Sequence, residues 1–293
     1  MKTAIRLTAL SALAIASPAC SAEQTESYAD AAVPEQNVFP ESAWRTVDAE
    51  NMLVIDTAYG VIGVELFPEV APAHVEQIKQ LARDGFYDNV VFHRVIEGFM
   101  NQNGDGSNGD GTGDSDRPDI PAEFTFRRGE DMDVTIVSSR GEQSNEIATG
   151  FYKSLPVATQ PISQAILTAD GKVAAFGLHC PGVTSMARTN DPNSANSQFF
   201  LMRSRYDSLD TAYSIWGSTV MGRDHLTKIK VGVVGEEGFV PDQMNTVRVA
   251  ADLPDGERPT VQVLDTSSDA FTSWLSSQTY EDVCDIAIPT RTL

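Results

Sequence analysis

Phe92-His93-Arg94-Val95-Ile96-Glu97-Gly98-Phe99-Met100-Asn101-Gln102 is the stretch on which the fold turns. It closes a predicted strand, Val90 to Val95, and sets one arginine among apolar neighbours. Downstream, residues 101–116 contain no apolar side chain and are dominated by Gly, Asn, Asp and Ser, which spells a tight surface loop. As an EF-hand the loop fails. With Asn101, Asn103 and Asp105 in the first three ligand positions, Thr112 stands where a bidentate Glu is required. Upstream, Met52 to Asp56 and Val61 to Phe67 read as strands joined by the turn Ala58-Tyr59-Gly60, a hairpin ended by Pro68 and Pro72. Ala73 to Asp84 has helical spacing, with Val75, Ile78 and Leu81 on one face and Gly85 as a stop signal. About a hundred residues beyond Arg94 comes a second unusual run, Asn193-Ser194-Ala195-Asn196-Ser197-Gln198-Phe199-Phe200-Leu201.

In their order and separation, the two runs resemble the two active-site segments of the cyclophilins, the peptidyl-prolyl cis-trans isomerases. The resemblance covers about residues 51–126 and 178–252. It implies a mainly β fold: a closed eight-stranded antiparallel barrel with two flanking helices. The barrel domain spans 51–252 and is broken by an insertion at about 127–177. The insertion reads as partly ordered, with short strands at Val134 to Val137 and Val173 to Phe176. The barrel resumes at Pro181 to Arg188 and continues through Gln198 to Met202 and Tyr213 to Trp216. A short helix is expected within 219–231, and Thr246 to Ala250 closes the barrel. Residues 253–293 form a C-terminal extension without a family counterpart.

An X-Pro amide rotates over a barrier of about 20 kcal/mol because its resonance must be broken. No metal, cofactor or covalent intermediate is required, only a site that favours the twisted state over both planar ones. Twisting gives the prolyl nitrogen a lone pair to which a fixed guanidinium can donate, and an arginine stays charged and rigidly forked. The resemblance gives that role to Arg94 and makes Gln102 the residue that positions it. Phe99, Met100, Phe200 and Leu209 become the apolar wall for the proline ring, and Gln198 a further polar contact. Ala187, Arg188 and Thr189 fall in the segment that runs along bound peptide. Tyr213 replaces the family's pocket histidine, and Ser208 stands where an aromatic, often Trp, usually precedes Leu209. That loss is expected to weaken cyclosporin binding. His93 reads as a hydrogen-bonded structural histidine. His74, His179 and His225 lack metal-ligand spacing, and Ser185 has no nucleophile-elbow context.

Residues 1–22 read as a secretory signal: Lys2 and Arg6, an apolar stretch from Leu7 to Ala16, then small residues. Cleavage near Ala22 gives a soluble product; cleavage before Cys20 gives a lipoprotein with lipid on that cysteine. Residues 23–50 read as a polar linker. Three cysteines leave one odd. With Cys20 lipidated or removed, Cys180 and Cys284 are a candidate disulfide in an oxidising compartment, two buried thiols being the alternative. The formal charge is −20, and loss of the leader leaves 19 basic against 41 acidic residues. Such a surface repels nucleic acid and anionic lipid, so a membrane is met only through the lipid anchor. The expected protein is a monomer, periplasmic or secreted, that acts on proline-containing peptides and unfolded exported proteins. The alternative is a cyclophilin-fold peptide-binding module or chaperone with weak or no isomerase activity.

Overall fold

The computed structural model describes residues 39–139 and 146–293. The leader, Cys20 and the linker up to residue 38 lie outside the described residues. In chain order, β1 (Trp44–Thr46) precedes four barrel strands, β2 (Met52–Thr57), β3 (Gly60–Leu66), β4 (Arg94–Ile96) and β5 (Met100–Asn103). The inserted segment follows with β6 (Phe126–Arg128), β7 (Thr135–Ser139), β8 (Ala148–Tyr152), β9 (Leu155–Thr159) and β10 (Val173–Gly177). The barrel resumes with β11 (Val183–Met186), β12 (Phe199–Met202), β13 (Ile215–Met221), β14 (Gly232–Val233) and β15 (Met244–Val249). The tail adds β16 (Val261–Leu264) and β17 (Thr290–Thr292), and the α-helices are α1 (Pro72–Arg83) and α2 (Asp269–Leu275).

Eight antiparallel strands run in the order β4-β5-β12-β11-β13-β3-β2-β15, with the two-residue β14 flanking β4. The two ends of this series meet. The Phe92 N–H donates to Asp242 O at 2.8 Å and the Met244 N–H to Val90 O at 2.9 Å, so the sheet closes where β4 and β15 begin. Alternate residues line the core, as the two-residue strand period demands: Leu53 and Ile55 on β2, Ile62, Val64 and Leu66 on β3. Val75, Ile78 and Leu81 of α1 join the same cluster. The first turn of α1 is capped from a distance: the Glu123 carboxylate accepts the Ala73 and His74 N–H groups, each at 3.1 Å. The second flanking helix is reduced to one 3-10 turn, Arg223–His225. Past the end of β13, only two apolar anchors of the expected segment, Leu226 and Ile229, are buried, too few for a longer amphipathic face.

The largest differences from the sequence reading lie outside the barrel. The insertion is a five-stranded sheet, β6-β10-β9-β8-β7, rather than a partly ordered segment with two strands. Its β8–β9 hairpin turns on Lys153 at φ +54°, with no glycine in the turn to announce it. Gly150 in β8 weakens the strand pattern but is required, because a Cβ there would lie 2.1 Å from Thr135 O of β7. The linker reading fails at its C-terminal end. Residues 39–50 contain β1 and two 3-10 turns, with Ala43, Trp44 and Val47 buried. The partner of β1 is β16, more than two hundred residues on, and β16 in turn pairs with β17.

These segments share one apolar cluster. It holds Trp44 from the N-terminal segment, Phe151 and Val157 from the insertion, Phe271 and Val283 from the tail, and Met100, Phe200 and Met202 from the barrel. Glu65 of β3 is buried and welds three of the parts. It takes a bidentate bond from Arg45 at 2.6 and 2.9 Å and another from the Ser154 hydroxyl at 2.5 Å. Cys180 and Cys284 are bridged, with Cα atoms 5.0 Å apart, so the tail is covalently tied to the barrel.

Candidate active site

Strand register puts the central groups in one row. Arg94 on β4 lies opposite Gln102 on β5, and Gln102 lies opposite Phe200 on β12. Opposed residues of antiparallel strands project to the same face, so one surface of the barrel presents guanidinium, carboxamide and phenyl ring side by side. Ile96 and Met100 form the neighbouring pair.

The polar groups form a relay. Arg94 Nη1 donates to Gln102 Oε1 at 3.1 Å and lies 4.0 Å from Met100 Sδ. Gln102 Nε2 donates to Gln198 Oε1 at 3.2 Å. Gln198 Nε2 donates to Gly111 O at 3.0 Å and Gly113 O at 2.8 Å, anchoring the relay in the glycine-rich loop. That loop is held by Asp105, whose carboxylate accepts backbone N–H groups from Ser107, Asn108, Asp110, Gly111 and Gly113. Burial raises the Asp105 pKa, but these bonds outweigh it and hold it at about 2. Gly104 just before it, at φ +88°, lets the loop approach β12: a Cβ would lie 2.5 Å from Ser197 O.

The apolar wall assembles from four chain segments. Met100 and Phe200 are buried, and Phe99, Ala187, Leu209 and Tyr213 pack against their cluster. Tyr213 meets Phe200 edge to face at 5.8 Å. Leu209 ends the 3-10 turn Asp207–Leu209. The aromatic missing at Ser208 is supplied two residues earlier, since the Tyr206 ring lies 4.4 Å from that of Phe99. Arg94 also lies over the Phe99 ring, its Cζ 5.8 Å from the centroid.

In the segment expected to run along bound peptide, Ala187 is fixed by its N–H bond to Gln198 O at 2.9 Å. Arg188 is half-buried and stacks over Tyr213 at 4.5 Å and Phe124 at 5.5 Å. Thr189 stays exposed and spends its N–H and hydroxyl on Ser194 within its own turn, so it does not join the wall.

Three residues that sequence reasoning left out of the site support it: Phe124 and Tyr206, already placed, and His179. The His179 ring is fully buried and stacked on Phe200 at 6.1 Å. Its Nδ1 lies 3.0 Å from Asp210 Oδ1, and Asp210 also takes two bonds from Arg205. Burial pushes the His179 pKa down against the pull of Asp210. No local spacing marks it, because its partner lies thirty-one residues away. His93 departs from expectation: it is buried, but neither ring nitrogen has a hydrogen-bond partner among the described residues. Burial lowers its pKa, so it packs as a neutral ring, against Gly111.

A family model described as cyclophilin type peptidyl-prolyl cis-trans isomerase/CLD matches residues 52–250. A probable peptidyl-prolyl cis-trans isomerase of Brucella suis biovar 1 (strain 1330) is 34% identical over 217 residues, covering 70% of this chain and 85% of that protein. Its counterpart in Brucella abortus (strain 2308) is 33% identical over the same length, with the same coverage. Among solved structures, the cyclophilin AquaCyp293 from Hirschia baltica superposes with a TM-score of 0.78 at 37% identity. That likeness covers 85% of this chain and 93% of the other, a larger share than the span 52–250.

Proposed function

The chain belongs to the cyclophilin-type peptidyl-prolyl cis-trans isomerases, and from that premise we propose that Arg94 stabilises the twisted prolyl amide. One observation carries the proposal. Arg94 is held by a neutral carboxamide, and no carboxylate among the described residues pairs with it. Its charge is therefore available to a lone pair that exists only in the twisted state. A charge-assisted bond contributes roughly 1.5–3 kcal/mol, or about ten- to hundredfold in rate. The remainder comes from the wall of Phe99, Met100, Phe200, Leu209 and Tyr213, which takes water from the amide and holds the ring.

The substrates are proline-containing polypeptides, and the role is assisting exported proteins whose folding waits on prolyl isomerisation, a step of tens of seconds or more without catalysis. Export rests on the N-terminal pattern and on the Cys180–Cys284 bridge, which suits an oxidising compartment. The intact Arg94–Gln102–Gln198 relay favours an isomerase over a binding module that has lost turnover. The test is isomerisation of a short Ala-Pro peptide by wild type and Arg94→Ala, with circular dichroism on both. A slow, folded variant supports the mechanism; a variant as fast as wild type removes it.

A further inference from the structure

We propose that Arg188 is a specificity-determining residue that favours client chains bearing a carboxylate beside the proline. The inference rests on the isomerase reading and adds the substrate class.

Arg188 is built into its place. Its Nε donates to Ala212 O at 3.0 Å and its Nη1 to Thr189 O at 2.7 Å. The guanidinium is flanked by the rings of Tyr213 and Phe124, which fix its plane. Nη2 has no acceptor among the described residues, and no carboxylate pairs with the group. Asp191, three residues on, turns its carboxylate to the Asn193 N–H instead. Many other cations of this acidic chain are spent on carboxylates: Arg83 on Glu50 and Asp252, Arg117 on Asp84, Arg127 on Asp170, Lys228 on Asp224 and Lys230 on Asp242. An ordered, uncompensated guanidinium at a binding site is a receptor for a planar anion.

Its position selects the ligand. Tyr213 touches both Arg188 and Phe200, so one aromatic ring links the guanidinium to the wall proposed to receive the proline. Consecutive Cα atoms of a peptide are about 3.8 Å apart. An Asp or Glu adjacent to the proline thus reaches Arg188 while the ring occupies the wall. The rest of the chain, with its formal charge of −20, repels that same peptide at long range. Selectivity therefore arises at contact, not during approach.

The experiment compares kcat/KM for two peptides that differ only in Glu or Gln beside the proline, using wild type, Arg188→Gln and Arg188→Lys. Wild type is expected to prefer Glu by about three- to tenfold, the range of a partly exposed charge pair. Arg188→Gln brings the ratio to about one or below. Arg188→Lys, charged but without the fork or the stack, keeps part of it. The ratio is the readout, so a general loss of activity does not decide the matter. A wild-type ratio of one, or a ratio unmoved in Arg188→Gln, overturns the proposal. Failure to turn over even the Gln peptide overturns the isomerase reading instead, and calorimetric binding of the same two peptides then decides the preference separately.

Discussion

The barrel and the body packed on it are joined up in different ways. The barrel joins local hairpins, β2 with β3 and β4 with β5, through long-range pairs, β5 with β12, β13 with β3 and β2 with β15. The second body is assembled from chain far apart: β1 beside β16, the insertion beside the tail, and a disulfide spanning 104 residues. The core of the candidate site, Arg94 facing Gln102, lies on a local hairpin of the barrel, and β12 joins it from about a hundred residues on. The β1-β16-β17 sheet and the bridge, which have no local hairpin at all, lie outside it, and the two parts meet in the cluster that holds Met100 and Phe200.

Opening the bridge is the sharpest way to separate the two. Closing so long a loop stabilises by about 4–5 kcal/mol in the chain-entropy model, and often less in practice. A Cys180→Ser/Cys284→Ser variant is expected to lose about 2–5 kcal/mol in denaturant unfolding, while Ala-Pro turnover at low temperature persists. Loss of turnover in a folded variant would show the two regions to be one functional unit.

Glu65→Ala attacks the weld from the barrel side. It strands Arg45 and the Ser154 hydroxyl together, and the expected cost is about 2–4 kcal/mol. Unfolding in two resolved steps, the second body first, would confirm that the weld couples them. Arg94→Ala has the reverse signature: about a ten- to hundredfold drop in kcat/KM, with a denaturation midpoint close to wild type.

The smallest effect concerns the glycine-rich loop. The Asp105 pKa is held at about 2, below its ordinary value of 3.8. A depressed carboxylate adds stability above its unfolded pKa, and that stability is lost as pH falls from about 4 towards 2. Asp105→Asn should therefore be less stable than wild type at pH 6, and the gap should narrow as both are acidified to pH 3. A gap that does not change with pH would assign the loop's order to its glycines alone.

What could be read from the sequence follows the same division. Val75, Ile78 and Leu81 announce α1 because their neighbours on the helix face are also their neighbours in sequence. Arg94 and Gln102 are opposed across a connection of only a few residues, so their pairing belongs to one recognisable run. Trp44 gives no such signal: three residues of strand become a strand only against Val261–Leu264. Pro156 lies inside β9 and Gly150 inside β8, both residues that argue against a strand when read locally. Tyr206 reaches Phe99 only through the fold, so nothing near Ser208 revealed the replacement aromatic.

The sheet β1-β16-β17 begins at Trp44 and is completed only at Thr292. A ribosome adding about 5–20 residues per second takes roughly ten to forty seconds to supply the partners of β1. Until then the strand that holds Trp44 lacks its β16 partner, and Cys180 has no Cys284 to meet. A product that ends before Val261 therefore presents a bare indole, an unpaired thiol and a strand with open edges, all features that proteases and holdases recognise. The terminal sheet thus ties the order of the segment around Trp44 to strands that are made last.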